Sequence, residues 1–218
     1  MRSSFARLLL LASIAASVGA GCSSTTDSSA PAEPAPAEDS LEWLEAAPDL
    51  ANRMDRRMEQ MPWTQGMDER VEMIQWWAER GEPAYSRLLD MAADPRPGVA
   101  DMAFAALAAS RDSRLVEPLR TVPWPAEGEL DSRYSRARTH LVLGDWSHVD
   151  VLIDGLEDDR LFARSLCLKT LRTASRQDLG YRASGPEEER AAAVERWREW
   201  AQDRAGDPLL SAREVSEG

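Results

Sequence analysis

Apolar residues recur at helical spacing from residue 41 to about residue 202, and Pro, Gly and Asp residues divide this pattern into short segments. The spacing i, i+4, i+7 and i+11 predicts one buried helix face, formed by Met67, Val71, Ile74 and Ala78. Residues 99–109 are almost uniformly apolar, which predicts a helix that other helices cover on most sides. The chain has no alternating strand pattern and no Asn-Gly hairpin signal, so the predicted fold class is all-α.

Capping and proline signals predict where the first helices begin. Ser40 is a candidate cap for a short helix that carries Leu41, Trp43 and Leu44. Pro48 suits the first turn of the next helix, because the amide hydrogen that proline lacks would have no partner there. We therefore expect the helical domain to begin at residue 41.

An internal repeat accounts for the middle of the chain. The pattern Val-x-x-x-Ala-x-x-Ala-Leu at residues 99–107 recurs in related form at residues 133–141 and 163–171. The leucines that close these segments, Leu107, Leu141 and Leu171, are 34 and then 30 residues apart. Shorter apolar helices lie between them, which predicts antiparallel helix pairs joined by Asp-containing turns. Because such a pair is too short to bury its own apolar face, neighbouring pairs must stack.

These residues resemble the HEAT-repeat family, whose members have an armadillo-type fold. Asp94-Pro95 followed by residues 99–107 is similar to the first-helix signature of the family, and so is Asp158-Asp159 followed by residues 163–171. Arg164 lies where the family often has an arginine that reaches the Asp of the preceding turn. The resemblance covers roughly residues 65–172 and implies a short right-handed α-solenoid of antiparallel helix pairs, with residues 178–200 similar to an end cap.

The N-terminal residues predict export and a lipid anchor. The apolar run Leu8–Val18 follows Arg2 and Arg7, and as a helix it would rise only about 16 Å, too short to span a bilayer. Ala20-Gly21-Cys22 resembles the bacterial lipoprotein signal, in which the Cys is lipidated and becomes the new N-terminus. An ordinary secretory signal that contains a Cys is the alternative.

Four regions are therefore predicted. Residues 1–21 are the lipoprotein signal peptide, and residues 22–40 are the lipidated Cys22 with a disordered tether rich in Ser, Pro and Ala. Residues 41–202 form the HEAT-like domain, and residues 203–218 form a flexible C-terminal tail. Ser23 is not the Asp that retains lipoproteins in the inner membrane of some bacteria, so the outer membrane is preferred.

Composition excludes several classes of function. The net charge of -12 repels phosphate backbones and argues against nucleic-acid binding. Two cysteines cannot build a disulfide framework, and two histidines are too few for a His-rich zinc site. We interpret His140 as a packing residue, His148 as solvent-facing and Cys167 as a small buried side chain. No catalytic residue, metal site or cofactor is predicted.

The eight tryptophans are the most informative side chains. Trp77 and Trp197 fit core positions, whereas Trp63 and Trp124 lie beside prolines in predicted loops. These two either fasten their loops to the helices or anchor a partner, since exposed Trp is enriched in binding hot spots. They are the candidate partner-binding residues.

The predicted function is a membrane-anchored lipoprotein that acts as a non-catalytic protein-interaction scaffold in the cell envelope, facing the periplasm. Its expected partners are an unidentified envelope protein or peptide and, through the lipid, the membrane. One alternative is an accessory or pilot lipoprotein of an outer-membrane assembly. The other is a periplasmic enzyme that acts on cell-wall or sugar substrates. The role rests on the resemblance in fold, which by itself does not establish a function.

Overall fold

The structure, a computed structural model, describes residues 42–204, and this part of the chain contains helices and no strands. The all-α prediction is confirmed for these residues. Their helices are α1 Pro48–Gln60, α2 Met67–Ala78, α3 Glu82–Ala92, α4 Pro97–Ser110, α5 Val116–Thr121, α6 Leu130–Leu143, α7 Val149–Asp154, α8 Leu161–Ser175 and α9 Glu187–Arg204. The predicted signal peptide and tether lie outside the described residues. The predicted tail is wrong at residues 203 and 204, which belong to α9, and its other residues are not described.

Alternate helices pack against one another along the chain. Helix α2 contacts α4, α4 contacts α6, and α6 contacts α8. The helices between them also pack against these long helices: α3 contacts α4, and α7 contacts both α6 and α8. Each of the long helices α4, α6 and α8 therefore shares its apolar surface with more than one neighbour.

Two hydrophobic clusters form the core. The first joins α1 to α5 and centres on α4, in which Ala103, Phe104 and Leu107 have no exposed surface. The second joins α6 to α9 and includes Tyr181 and Trp197, both fully buried. The prediction that residues 99–109 are covered on most sides is thus confirmed for most of the segment, and all three repeat leucines are buried.

The turns use a common device, an Asp followed two residues later by an Arg. The Asp–Arg pairs are Asp94–Arg96, Asp112–Arg114 and Asp158–Arg160. In the last of these, the Asp158 carboxylate accepts hydrogen bonds from the Arg160 backbone N–H at 2.8 Å and from its guanidinium Nε at 3.0 Å. These bonds lower the pKa of Asp158 to about 2. Each pair thus satisfies a backbone N–H at the start of the next helix.

Two tyrosines tie these turns to earlier helices. The Tyr85 hydroxyl donates to Asp112, and the Tyr134 hydroxyl donates to Asp158, each at 3.2 Å. Arg164 also reaches the turn before its helix, but its Nη1 donates to the main-chain oxygens of Asp158 and Asp159, each at 2.7 Å. The carboxylate of Asp158 is already occupied by Arg160, so Arg164 binds the carbonyls instead of the side chain.

The predicted short helix at residues 41–44 is wrong for the residues of it that the structure describes. Residues 42–47 are irregular, and they contact α3 and Arg114. The ring of Trp43 packs edge-on against Tyr85, with 5.0 Å between ring centroids, and the Leu44 N–H donates to Glu82 at 3.4 Å. Tertiary contacts outweigh the weak helical pattern in a segment this short.

The predicted buried face of α2 is wrong at two of its four residues, since Met67 and Val71 are 71 % and 44 % exposed. Ile74 is partly buried against the first cluster, and Met73 and Trp77 are buried. Apolar residues lie on more than one side of this helix, so their spacing alone does not select a face. The helix turns Trp77 into the core, as its predicted core position requires, and burying this large side chain removes much apolar surface from water.

Gly155 provides a test of how closely the second cluster is packed. A Cβ atom at this position would lie 2.5 Å from the Sγ of Cys167 and 3.0 Å from the ring of Tyr134. We therefore expect Gly155→Ala to lower the free energy of unfolding by about 1–3 kcal/mol, measured by urea denaturation. Gly98→Ala is the control, because a Cβ at that position meets no atom within 4 Å and should leave stability unchanged or higher. Equal stability of the two variants would contradict the packing around Gly155.

Candidate functional site

The ring of Trp124 covers a group of polar side chains. We call the ring and these side chains the histidine cluster, and its members are Trp124, Arg136, His140, Asp145 and His148. Trp124 comes from the segment after α5, Arg136 and His140 from α6, and the other two from the segment between α6 and α7. All but Trp124 and His148 are buried.

The end of α6 creates this arrangement. Gly144 adopts a left-handed conformation, with φ of 98°, and ends the helix. The Asp145 N–H then donates back to the His140 carbonyl at 2.8 Å, which turns the chain over the end of α6. The Asp145 and His148 side chains are brought back against the helix as a result.

Asp145 differs from the other turn aspartates because Ser147, not Arg, follows two residues later. Its Oδ1 accepts from the Ser147 N–H at 3.0 Å and from the Ser147 hydroxyl at 2.6 Å. Its Oδ2 lies 2.9 Å from Nδ1 of His140 and accepts from Nε of Arg120 at 3.2 Å. Burial acts to raise the pKa of Asp145, but these hydrogen bonds outweigh it and hold that pKa far below its ordinary value.

His140 is fully buried and points one nitrogen at a carboxylate. Since an ionised carboxylate only accepts hydrogen bonds, Nδ1 of His140 carries a proton, and in the neutral ring Nε2 holds the lone pair. Nε2 has no hydrogen-bond partner among the residues that the structure describes. The interpretation of His140 as a packing residue therefore leaves one buried polar atom unexplained.

The prediction that His148 faces solvent is wrong. Its ring is half-buried, and its centroid lies 4.7 Å from that of His140 and 4.6 Å from that of Trp124. Burial is the main cause that lowers the pKa of His148, and the neighbouring His140 and Arg136 lower it further. Asp145 and Asp150 act in the opposite direction without reversing the shift.

Trp124 covers the cluster. Its ring is nearly parallel to that of His140, at an interplanar angle of 11° and a centroid distance of 6.2 Å. The guanidinium of Arg136 lies 4.3 Å from the ring centroid, which is cation–π distance. The half-buried ring is thus packed against internal groups, which favours the alternative that Trp124 fastens its loop to the helices.

Arg136 is the second buried charge of the cluster, with 1 % of its surface exposed. Its Nη2 donates to the Leu119 carbonyl at 3.0 Å, while Nε and Nη1 have no hydrogen-bond partner in residues 42–204. Burial lowers its pKa to about 10. The stacked ring of Trp124 compensates part of the cost of burying this charge.

Trp63, the other candidate partner-binding residue, lies at a different place in the fold. It ends the 3-10 turn Met61–Trp63 after α1, and its side chain is 81 % exposed. It lines an open groove between α1 and α2 together with Arg56, Arg57 and Glu72. The structure therefore does not bring the two candidates together at one site.

The two cysteines have separate positions. Cys22, the predicted lipidation site, lies outside the described residues. Cys167 is fully buried, as predicted, and burial raises the pKa of its thiol to about 12. A thiol with this pKa is protonated at neutral pH and is a poor nucleophile.

The grouping of His140, Asp145 and His148 was missed by the sequence analysis. One ring nitrogen of each histidine and one carboxylate oxygen of Asp145 lie within 4.8 Å of one another. The available signal was the spacing His-x4-Asp-x2-His across the end of a helix. Hydrophobic spacing does not report the turn at Gly144 and Asp145 that brings the two histidines together.

Comparisons with known protein families, with curated proteins and with solved structures give no match to this chain. Among the helices of residues 42–204, none is both long enough and apolar enough to cross a membrane.

The lowered pKa of His148 predicts how stability changes with pH. In the unfolded chain its pKa returns to about 6.5, so between that value and the lower folded pKa the unfolded state binds more protons. The free energy of unfolding should therefore fall as pH is lowered from about 7.5 to about 5.5. We expect a smaller fall for His148→Asn, measured by urea denaturation at each pH. Equal pH dependence in the two proteins would show that protonation of His148 is not coupled to unfolding.

Proposed function

We propose that this chain is a lipid-anchored protein of the cell envelope whose helical domain is a non-catalytic scaffold for protein interactions. In this proposal Cys22 carries the lipid, residues 23–40 are the tether, and the domain faces the periplasm. The support for the anchor is the short apolar run Leu8–Val18 and the Ala20-Gly21-Cys22 that closely follows it. Several acyl chains on one residue give stable attachment, whereas a single chain gives only marginal binding.

We further propose that the domain is a short right-handed solenoid of HEAT-like helix pairs. The contacts of α2 with α4, α4 with α6, and α6 with α8 support this arrangement. The long helices α4, α6 and α8 also end alike, each followed by a left-handed residue at Arg111, Gly144 and Arg176. Recurrence of the same helix end at nearly the same spacing is typical of stacked repeats.

The exposure of Trp63 is the observation that carries the scaffold proposal. A Trp side chain that is 81 % exposed keeps a large apolar surface in water. Met67, at the start of α2, is 71 % exposed, so a second large apolar side chain in the same part of the chain is also uncovered. Exposed apolar groups with charged neighbours, here Arg56 and Glu72, are the usual composition of a protein-binding surface.

The anchor is tested by labelling with radioactive palmitate in a bacterial host. The wild-type chain should incorporate the label, and Cys22→Ser should lose it because the acceptor sulfur is absent. Cys167→Ser is the matched control and should keep the label, since Cys167 is fully buried in the domain. Labelling of Cys22→Ser at the wild-type level would overturn the anchor.

The role of Trp63 is tested by crosslinking in the native envelope. A photoreactive phenylalanine analogue at position 60, an exposed position in the groove, should give an adduct of defined mass. Trp63→Ala should abolish this adduct while changing the free energy of unfolding by less than about 0.5 kcal/mol, because the side chain is exposed.

Phe162→Ala is the control for this experiment, since Phe162 is 74 % exposed on α8 and lies outside the groove. It should leave the adduct at position 60 intact. An adduct that persists in Trp63→Ala, or the absence of any adduct in the wild type, would contradict the proposal.

A further inference from the structure

We propose that the histidine cluster is a binding site for a divalent transition-metal ion such as Zn²⁺, with ring nitrogens of His140 and His148 as ligands. Asp145 holds His140 through Nδ1 and serves as the outer partner of that ligand. The proposal is independent of the scaffold role, because Trp63 and its groove lie elsewhere in the fold.

The spacing of the groups supports this site. A nitrogen from each ring and an oxygen of Asp145 all lie within 4.8 Å of one another. Ligand atoms about 2.0–2.2 Å from a tetrahedral Zn²⁺ are separated by roughly 3.3–3.6 Å. The two ring centroids are 4.7 Å apart, so the rings are close enough to share one ion once His148, half-buried just before the short helix α7, adjusts its ring.

The orphaned nitrogen of His140 is the second, independent observation. Nε2 is buried, and no described residue donates to it or accepts from it. In metal sites, a ligating histidine almost always donates its other ring N–H to a carboxylate or a carbonyl. The 2.9 Å contact between Nδ1 of His140 and Asp145 has this form, and it leaves the lone pair of Nε2 available to bind a metal ion.

The donor set selects the class of metal. Imidazole nitrogens suit Zn²⁺, Cu²⁺ and Ni²⁺, whereas Mg²⁺ and Ca²⁺ prefer oxygen ligands. Asp145 already accepts from Ser147, His140 and Arg120, so it has little capacity to bind the ion directly. The neighbouring charge of Arg136 opposes a cation, and we therefore expect micromolar rather than tighter affinity.

The test is calorimetric titration of the untagged full-length chain, stripped of metal in detergent micelles, with ZnCl₂. The wild type should bind one Zn²⁺ per chain, and His148→Ala should bind at least about tenfold more weakly. Asp150→Asn is the control, because it changes a nearby charge without removing a ligand, and its affinity should stay within about threefold of the wild type. Circular dichroism verifies that each variant is folded.

A second measurement uses the tryptophan that covers the site. Cu²⁺ bound at His148 would lie close to Trp124, whose ring centroid is 4.6 Å from that of His148, and should quench its fluorescence. The quenching should be reduced in Trp124→Phe, and this comparison does not require His148 to be replaced. Absence of Zn²⁺ binding, Zn²⁺ binding unaffected by His148→Ala, or quenching unchanged in Trp124→Phe would each overturn the site.

Discussion

Apolar surface shared between alternate helices is the constraint on which this domain depends. Helices α4, α6 and α8 each contact at least two other helices, so none of them buries its apolar side chains against a single partner. Helix α4 shows this most clearly, because its residues have almost no polar face and α2, α3 and α6 all contact it. The polar features of the molecule are arranged around this packing, at the turns where helices end.

The turns show that the residue two positions after the turn aspartate decides which groups the carboxylate binds. Where Arg follows Asp by two residues, as in Asp158–Arg160, the guanidinium and backbone N–H occupy the carboxylate. At Asp145 the corresponding residue is Ser147, which binds only Oδ1, and Oδ2 turns inward to His140. The histidine cluster therefore arises from a turn whose aspartate elsewhere begins a helix and binds a tyrosine of an earlier helix.

Much of the fold was predictable because burial follows strong patterns. The uniform apolarity of residues 99–109 and the repeated leucines indicated buried helices, and the structure places them in the core. The burial of Trp77 was predicted, but the exposure of Met67 and Val71 was not, because the apolar residues of α2 surround the helix and only packing selects its buried face. The position of His148 was missed for a different reason, since it depends on the backbone hydrogen bond from Asp145 to His140 that turns the chain over the end of α6. Such a turn leaves only a weak trace in hydrophobic spacing.

The left-handed residues after α4 and α8 have a consequence for local motion. Gly144 adopts this conformation without steric cost, but Arg111 and Arg176 carry a Cβ atom and lose about 1–2 kcal/mol each. That cost is relieved whenever the last helical turn opens. Amide hydrogens at the C-termini of α4 and α8 should thus exchange with solvent sooner than those at the end of α6, beside His140.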